Sequence, residues 1–299
     1  MKQIMRSLMF VPGNNERLLG KAGKTEADVL LIDLEDSVKK INKAKARIII
    51  RQILDKEPFN GKQVFVRIND RESGELLKDL DSLGINRIAG FVYPKSKTGE
   101  DIYFFCKLLE TIEYEKGLPV GAFKIIALIE TTSAVLHAFE IASASPRVVA
   151  LAYGCEDYLA DLQGFYGNNN EALFFPRSMI ANAARAAGVI PVDTVHIAVR
   201  DLEDLEKNLI LARSLGFEGM LVLSPKEIEL VHRYFSPSPK EVEKAERIIK
   251  IADSTSQEGN GVYIQDDEFI GPPLVLQANK VLERHQAIAK LQTTRNTEM

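Results

Sequence analysis

Two carboxylates, Glu130 and Asp157, stand just past the apolar runs IIALI and VVALAY, which are consecutive in the chain. One or two carboxylates, with water and a ligand completing an octahedron, form the donor set that Mg²⁺ prefers. Each could instead pair with a lysine or cap the helix that follows. The four histidines, His137, His196, His232 and His285, share no ligand spacing, and the two cysteines do not cluster, which argues against zinc.

Asp33, Glu35 and Asp36 form the densest acidic group, in LIDLEDS. Three carboxylates this close repel one another unless a cation or hydrogen-bond donors neutralise them. Asp33 is expected to point inward and meet a cation, while Glu35 and Asp36 either reach metal-bound water or cap the next helix. Arg67 lies in VFVRIND, and Lys95 follows FVY-Pro. A planar guanidinium can grip a carboxylate through two parallel bonds, so Arg67 either binds an acidic ligand or closes an interior ion pair with Asp33 or Glu35. Arg17 and Lys21, four residues apart, share one face of a helix beside Pro12-Gly13-Asn14, a setting that suits phosphate. Such a pair is more often simply solvated. Cys155 sits between Gly154 and Glu156, where acidic surroundings disfavour a thiolate, and it reads as a packing residue. Neither a Walker sequence nor GxGxxG is present.

These residues need elements that bring them together. Eight short Val/Ile/Leu-rich runs occur in the first 225 residues: SLMFV, VLLI, VFV, FVY, IIALI, VVALAY, VDTVHI and GMLVL. Without strict alternation, they read as strands buried on both faces. The segments between them are long enough for helices, among them 43–54, 100–116, 133–144, 171–187 and 202–215. Gly188 and Gly216 are predicted to close the last two. Eight βα units predict an α/β fold, the closed (β/α)₈ TIM barrel, whose ligands bind at the carboxyl ends of the strands. The barrel is expected over 1–235. A C-terminal helical extension and lid follow over 236–299, with helices at 240–253 and 274–291 and a short hairpin between.

With 299 residues, 45% hydrophobic and 27% charged, the chain can hold one barrel and an appendix. A formal net charge of −4 speaks against a nucleic-acid surface. No run approaches the roughly 18 apolar residues of a membrane span. Two cysteines cannot build a disulfide framework, so a cytoplasmic setting is the expectation.

In order along the chain stand RSLMFVPG, DVLLIDLEDSV, KAKAR, VRIN, PK, ALIET, EIA before PRVVAL, YGCEDY and FSPSP. With these motifs the sequence, from Arg6 to Leu282, closely resembles the citrate lyase beta subunit family. That family stands with malyl-CoA and citramalyl-CoA lyases among the HpcH/HpaI-type barrel aldolases. The resemblance implies Mg²⁺ held by Glu130 and Asp157, with Glu130 also against substrate. It implies Arg67 on the carboxylate of the keto or hydroxy acid, with Glu35 and Asp36 in the catalytic group. It places Arg17 and Lys21 near the CoA or carrier arm, and Phe10 in the cavity wall. The implied activity is Mg²⁺-dependent cleavage of a 3-hydroxy-3-carboxyacyl thioester, of the citramalyl-CoA or malyl-CoA type, to acetyl-CoA and an α-keto acid. A carrier-bound citryl thioester, with alpha and carrier subunits as partners, is the alternative. The resemblance also implies a homotrimer or hexamer whose C-terminal segment closes over a neighbour's site.

Two positions depart from the family pattern. Ser224 stands where a histidine is usual. Gly271, in GNGVYIQDDEFIGPP, stands where the lid usually carries an acid/base aspartate. Both would also suit a catalytically weakened barrel that binds CoA esters.

Overall fold

The computed structural model describes residues 3–56, 59, 61–167, 170–256, 263–265 and 268–297. Eight parallel strands close into one barrel in chain order, β8 returning to β1. They are β1 Ser7–Pro12, β2 Val29–Asp33, β3 Gln63–Arg67 and β4 Gly90–Tyr93, then β5 Lys124–Ile129, β6 Val148–Tyr153, β7 Ile190–Asp193 and β8 Gly219–Val222. Around them lie α1 Glu16–Ala22, α2 Lys43–Asp55, α3 Leu76–Leu83, α4 Gly99–Glu115 and α5 Thr132–Leu136. These are followed by α6 Ala138–Ser143, α7 Cys155–Leu162, α8 Glu171–Ala187, α9 Leu202–Ser214 and α10 Ile228–Phe235.

The barrel interior is filled by Leu8, Leu31, Phe65, Val92, Leu128, Ala152, Val192 and Leu221, all buried. Burying each of the larger of these side chains stabilises by about 1.5–3 kcal/mol. Side chains alternate along a strand, so the residue two positions on faces the same way. Phe10, Asp33, Arg67 and Glu130 therefore continue the inward rows of Leu8, Leu31, Phe65 and Leu128 into the barrel mouth. Apolar packing below sets the direction of the polar groups above.

The β5–β6 ladder runs Ile125 against Val148 but Ile126 against Ala150, so Val149 is an extra residue in β6. From there the register continues to Ile129 against Tyr153, which sets Glu130 beside Gly154.

Three sequence expectations need correction. The seventh strand is Ile190–Asp193 and not VDTVHI. Past Asp193 the chain leaves the ladder, and Thr194 instead accepts a hydrogen bond from the Cys155 N–H through its Oγ1. The helix expected over 133–144 is broken at His137 (φ −102°, ψ 14°) into α5 and α6. Glu35 and Asp36 do not cap α2: Asn42 precedes that helix, without a side-chain capping bond. Gly188 and Gly216 do end their helices, with φ of 75° and 96°, a conformation glycine adopts without steric cost.

Residues 5–231 form one compact unit, and residues 232–299 with 1–4 form a second. In the second unit α11, Pro239–Ser256, and α12, Pro272–Thr297, pack around Ala245, Ile248, Ile270 and Ala278. Between them β9 Tyr263–Gln265 and β10 Glu268–Ile270 form an antiparallel pair. Of the lid-like run 259–273, residues 259–262 and 266–267 lie outside the described residues. Gly271 precedes α12, and its carbonyl accepts from Leu274 N–H (3.0 Å) and Val275 N–H (3.2 Å).

Candidate active site at the carboxyl end of the barrel

Asp33 and Arg67 are register partners at the ends of β2 and β3. The guanidinium forks onto the carboxylate, Nε to Oδ1 at 2.7 Å and Nη2 to Oδ2 at 2.9 Å. Asp33 also accepts from the backbone N–H groups of Glu35 (2.9 Å) and Ser37 (3.0 Å). Burial alone would raise this carboxyl, but the Arg67 fork and these donors hold it below its ordinary value. The interior ion pair is therefore formed. Arg67 keeps Nη1 for Glu35 Oε2 at 3.2 Å and Asp36 Oδ2 at 3.4 Å, and the guanidinium carbon lies 4.9 Å from the centroid of the Phe10 ring.

Glu35 is buried; Asp36 is exposed. Lys95 Nζ lies 3.1 Å from Glu35 Oε1 and 3.6 Å from Asp70 Oδ2. Burial, aided by Asp36, outweighs Arg67 and Lys95 and pushes the Glu35 carboxyl up to about 7. Lys95 has φ 52°, a left-handed conformation uncommon for a residue with a side chain. That turn aims its backbone N–H at Glu130 Oε1, at 2.7 Å. Lys95 thus contacts Glu130 through its main chain and Glu35 through its ammonium.

Glu130 is almost fully buried, at 1% exposure. Its Oε2 accepts no hydrogen bond from the described residues, and neither oxygen of Asp157, in the first turn of α7, accepts one. A Cβ at residue 154 would stand 2.7 Å from Glu130 Cβ and 2.8 Å from its Oε2, so only glycine leaves this carboxylate its place. Burial, then the charges of Glu35 and Asp157, push Glu130 up to about 8. Asp157 is raised by burial and by Asp36. Two neighbouring carboxylates with free oxygens and unfavourable charge form a donor set that fits one hard divalent cation completed by water and ligand. No group of three or more His, Cys, Asp or Glu suited to a metal occurs among the described residues.

Glu130, Asp157 and Lys95 line one cavity of about 630 Å³ with Tyr93, Thr131, Asp161, Asp70, Arg71 and Lys97. Phe10, Glu35, Asp36 and Arg67 are not in its wall. Arg17 and Lys21 are exposed on α1, away from this lining and without an ion pair among the described residues. Cys155 is buried, which pushes its thiol up to about 11. The Ser224 side chain accepts from Lys226 N–H, and Glu227 Oε2 accepts from Ser224 N–H at 3.0 Å. Arg71 and the Lys95 main chain had no sequence signal. Neither a left-handed φ nor a stacking partner shows in residue order.

The family model for HpcH/HpaI aldolase/citrate lyase matches residues 6–225. The chain is 32% identical over 282 residues to the citrate lyase subunit beta of Leuconostoc mesenteroides, covering 94% of this chain and 93% of that protein. It is 30% identical over 284 residues to a (3S)-malyl-CoA thioesterase of Cereibacter sphaeroides, covering 95% of each. The CitE protein of Mycobacterium tuberculosis, solved with magnesium, acetoacetate and coenzyme A, superposes with a TM-score of 0.79 at 26% identity. That match covers 96% of this chain and all of the other. The chain belongs to the HpcH/HpaI aldolase/citrate lyase family and is an enzyme of the lyase class.

Proposed function

We propose that the chain is a Mg²⁺-dependent carbon–carbon lyase that cleaves a 3-hydroxy-3-carboxyacyl thioester, of the citramalyl-CoA or malyl-CoA type, to acetyl-CoA and an α-keto acid. The observation that carries this reading is the pair Glu130 and Asp157, with oxygens free, in one cavity with Lys95. Magnesium held by these two would polarise the hydroxyl and the adjacent carboxylate of the substrate. Magnesium, keto acids and coenzyme A are named in solved structures of the Mycobacterium tuberculosis relative, which supports the assignment.

The chain's own groups account for the proton and the charge. Cleavage takes the hydroxyl proton, breaks the bond between the hydroxyl-bearing carbon and the thioester's α-carbon, and leaves the electron pair on the thioester as an enolate. Protonation then gives the acetyl thioester. Glu35, its carboxyl pushed up to about 7 by burial and by the Asp36 charge, is assigned to accept that proton at neutral pH, reached from the cavity past Lys95. Arg67, fixed by Asp33 and Phe10, is assigned to the substrate carboxylate, which would take Nη1 over from Glu35 and Asp36. Lys95 holds Glu130 in place and supplies positive charge beside the developing enolate. Arg17 and Lys21 are assigned to the phosphates of the CoA arm. Catalysis is assigned to the barrel, expected over 1–235 and compact over 5–231, and 236–299 are assigned to cover the site of a neighbouring subunit in a homotrimer or hexamer.

Incubation with malyl-, citramalyl- and citryl-CoA plus Mg²⁺, following free keto acid, tests the reading. Absence of product from all three sinks it. A citrate lyase beta subunit acting on a carrier-bound citryl group is the second reading, favoured by relatives of that name at 31–33% identity. Co-purification with two further polypeptides would support that one.

A further inference from the structure

Of the cations in the cavity wall, Arg71 alone makes no ion pair among the described residues. Lys95 is paired with Glu35 and Asp70, and Lys97 lies 3.6 Å from Glu72. Arg67, behind the wall, has its Nε/Nη2 edge on Asp33 and its remaining nitrogen facing two more carboxylates. Arg71 begins a short 3₁₀ turn, Arg71–Ser73, held by Asp70, whose side chain accepts from the N–H groups of Glu72 (2.8 Å) and Ser73 (2.9 Å). Its guanidinium carbon lies 4.4 Å from the centroid of the Phe104 ring, on α4. An aromatic face orients a guanidinium without using its N–H donors. The cavity wall also carries Glu130 and Asp157. It therefore joins the cation-binding carboxylates to a second, oriented guanidinium with its fork open.

We propose that Arg71 is a specificity-determining residue that binds a second carboxylate of the substrate, one carried on the keto-acid half in addition to the carboxylate beside the hydroxyl. This rests on the Mg²⁺-dependent lyase reading above but not on its citramalyl-CoA or malyl-CoA substrate, since it favours a citryl-type thioester with a dicarboxylic keto-acid product. An open guanidinium favours the substrate that fills it by charge-assisted, two-pronged hydrogen bonds. A substrate with methyl or hydrogen at that position leaves the fork to water.

The test compares wild type with Arg71→Met and Arg71→Lys on citryl-CoA and citramalyl-CoA, which share the CoA arm and differ by one carboxylate. The ratio of kcat/KM for citryl-CoA to that for citramalyl-CoA is expected to fall about tenfold or more in Arg71→Met, with partial rescue in Arg71→Lys. An unchanged ratio overturns the proposal, including the case where both substrates lose equally because Arg71 serves the CoA phosphates. Calorimetry of oxaloacetate and pyruvate with Mg²⁺ gives a readout that does not depend on turnover. Selective loss of oxaloacetate affinity in Arg71→Met supports the assignment even if no thioester is cleaved, which would defeat only the lyase reading. Equal affinities in wild type and variant, or no binding of either acid by wild type, overturn it.

Discussion

Lys95 donates its backbone N–H to Glu130 at 2.7 Å and sets its ammonium 3.1 Å from Glu35, so one residue in a left-handed turn positions two carboxylates of the site. The carboxyl of Glu130 sits near 8 and that of Glu35 near 7, both well above the ordinary 4.5. They are groups whose charge a cation would relieve.

Removing that charge at Glu130 separates binding from folding. Glu130→Gln keeps the shape and loses the anion, so Mg²⁺ affinity by calorimetry and lyase turnover should each drop at least about a hundredfold. Above about pH 8, where Glu130 would be charged, the apoprotein should melt no lower than wild type, since repulsion from Glu35 and Asp157 is relieved. Near-normal turnover at low Mg²⁺ would exclude Glu130 as a ligand.

A pH dependence of stability follows from the same two groups. The folded chain holds protons on Glu130 and Glu35 that the unfolded chain releases above about 4.5. Their contribution to apoprotein stability is therefore present at low pH and lost as pH rises through about 7 and about 8. Magnesium binds the deprotonated carboxylates, so the rise in Tm on adding it should be larger at pH 8.5 than at pH 6. Equal rises at both values would contradict the raised carboxyls.

Arg67→Lys retains the charge but cannot reproduce the fork on Asp33. Loss of one charge-assisted bond in this buried pair should cost about 1.5–3 kcal/mol of stability. Turnover should fall as well, because Nη1 disappears from the barrel mouth. Reduced Tm with unaltered kinetics would leave Arg67 a purely structural partner of Asp33.

Arg17 and Lys21 are exposed on α1, away from the cavity wall. Replacing both by Ala should weaken binding of CoA thioesters and flatten its dependence on salt, since phosphate contacts are screened by ions. Unchanged affinity at low and high ionic strength would return the pair to ordinary surface.

Gly271 precedes α12 at the position of an N-cap. Gly271→Asp adds a carboxylate where the family lid usually has one, and it should raise thioester hydrolysis more than carbon–carbon cleavage. The same carboxylate can cap α12, stabilising by a few tenths of a kcal/mol. Wild-type chain that readily releases free CoA from malyl-CoA would show that another base already fills the role.

The barrel was legible because buried parallel strands leave continuous apolar runs, and Asp33, Arg67 and Glu130 were legible because polar residues end those runs. VDTVHI misled because its apolar content resembles a strand, although the ladder stops at Asp193 and Thr194 turns to bond Cys155. His137 carries no breaker signature, yet it divides the fifth βα helix. The Arg67 alternatives could be settled only by register, which sets Asp33 opposite it. Arg71 on Phe104 joins residues from two elements that residue order does not pair.

The extra residue Val149 in β6 acts as a phase setting for the metal pair. With the bulge, Tyr153 stands level with Ile129, and Gly154 comes level with Glu130. An even ladder of the same residues would pair Ile129 with Ala152 and bring the Tyr153 side chain level with Glu130, where a Cβ is already too close. It would also turn the apolar faces of the strand about. A one-residue slip here would thus be felt twice, in the packing of the barrel and in the room left for its carboxylate, while the sequence of the strand would not change at all.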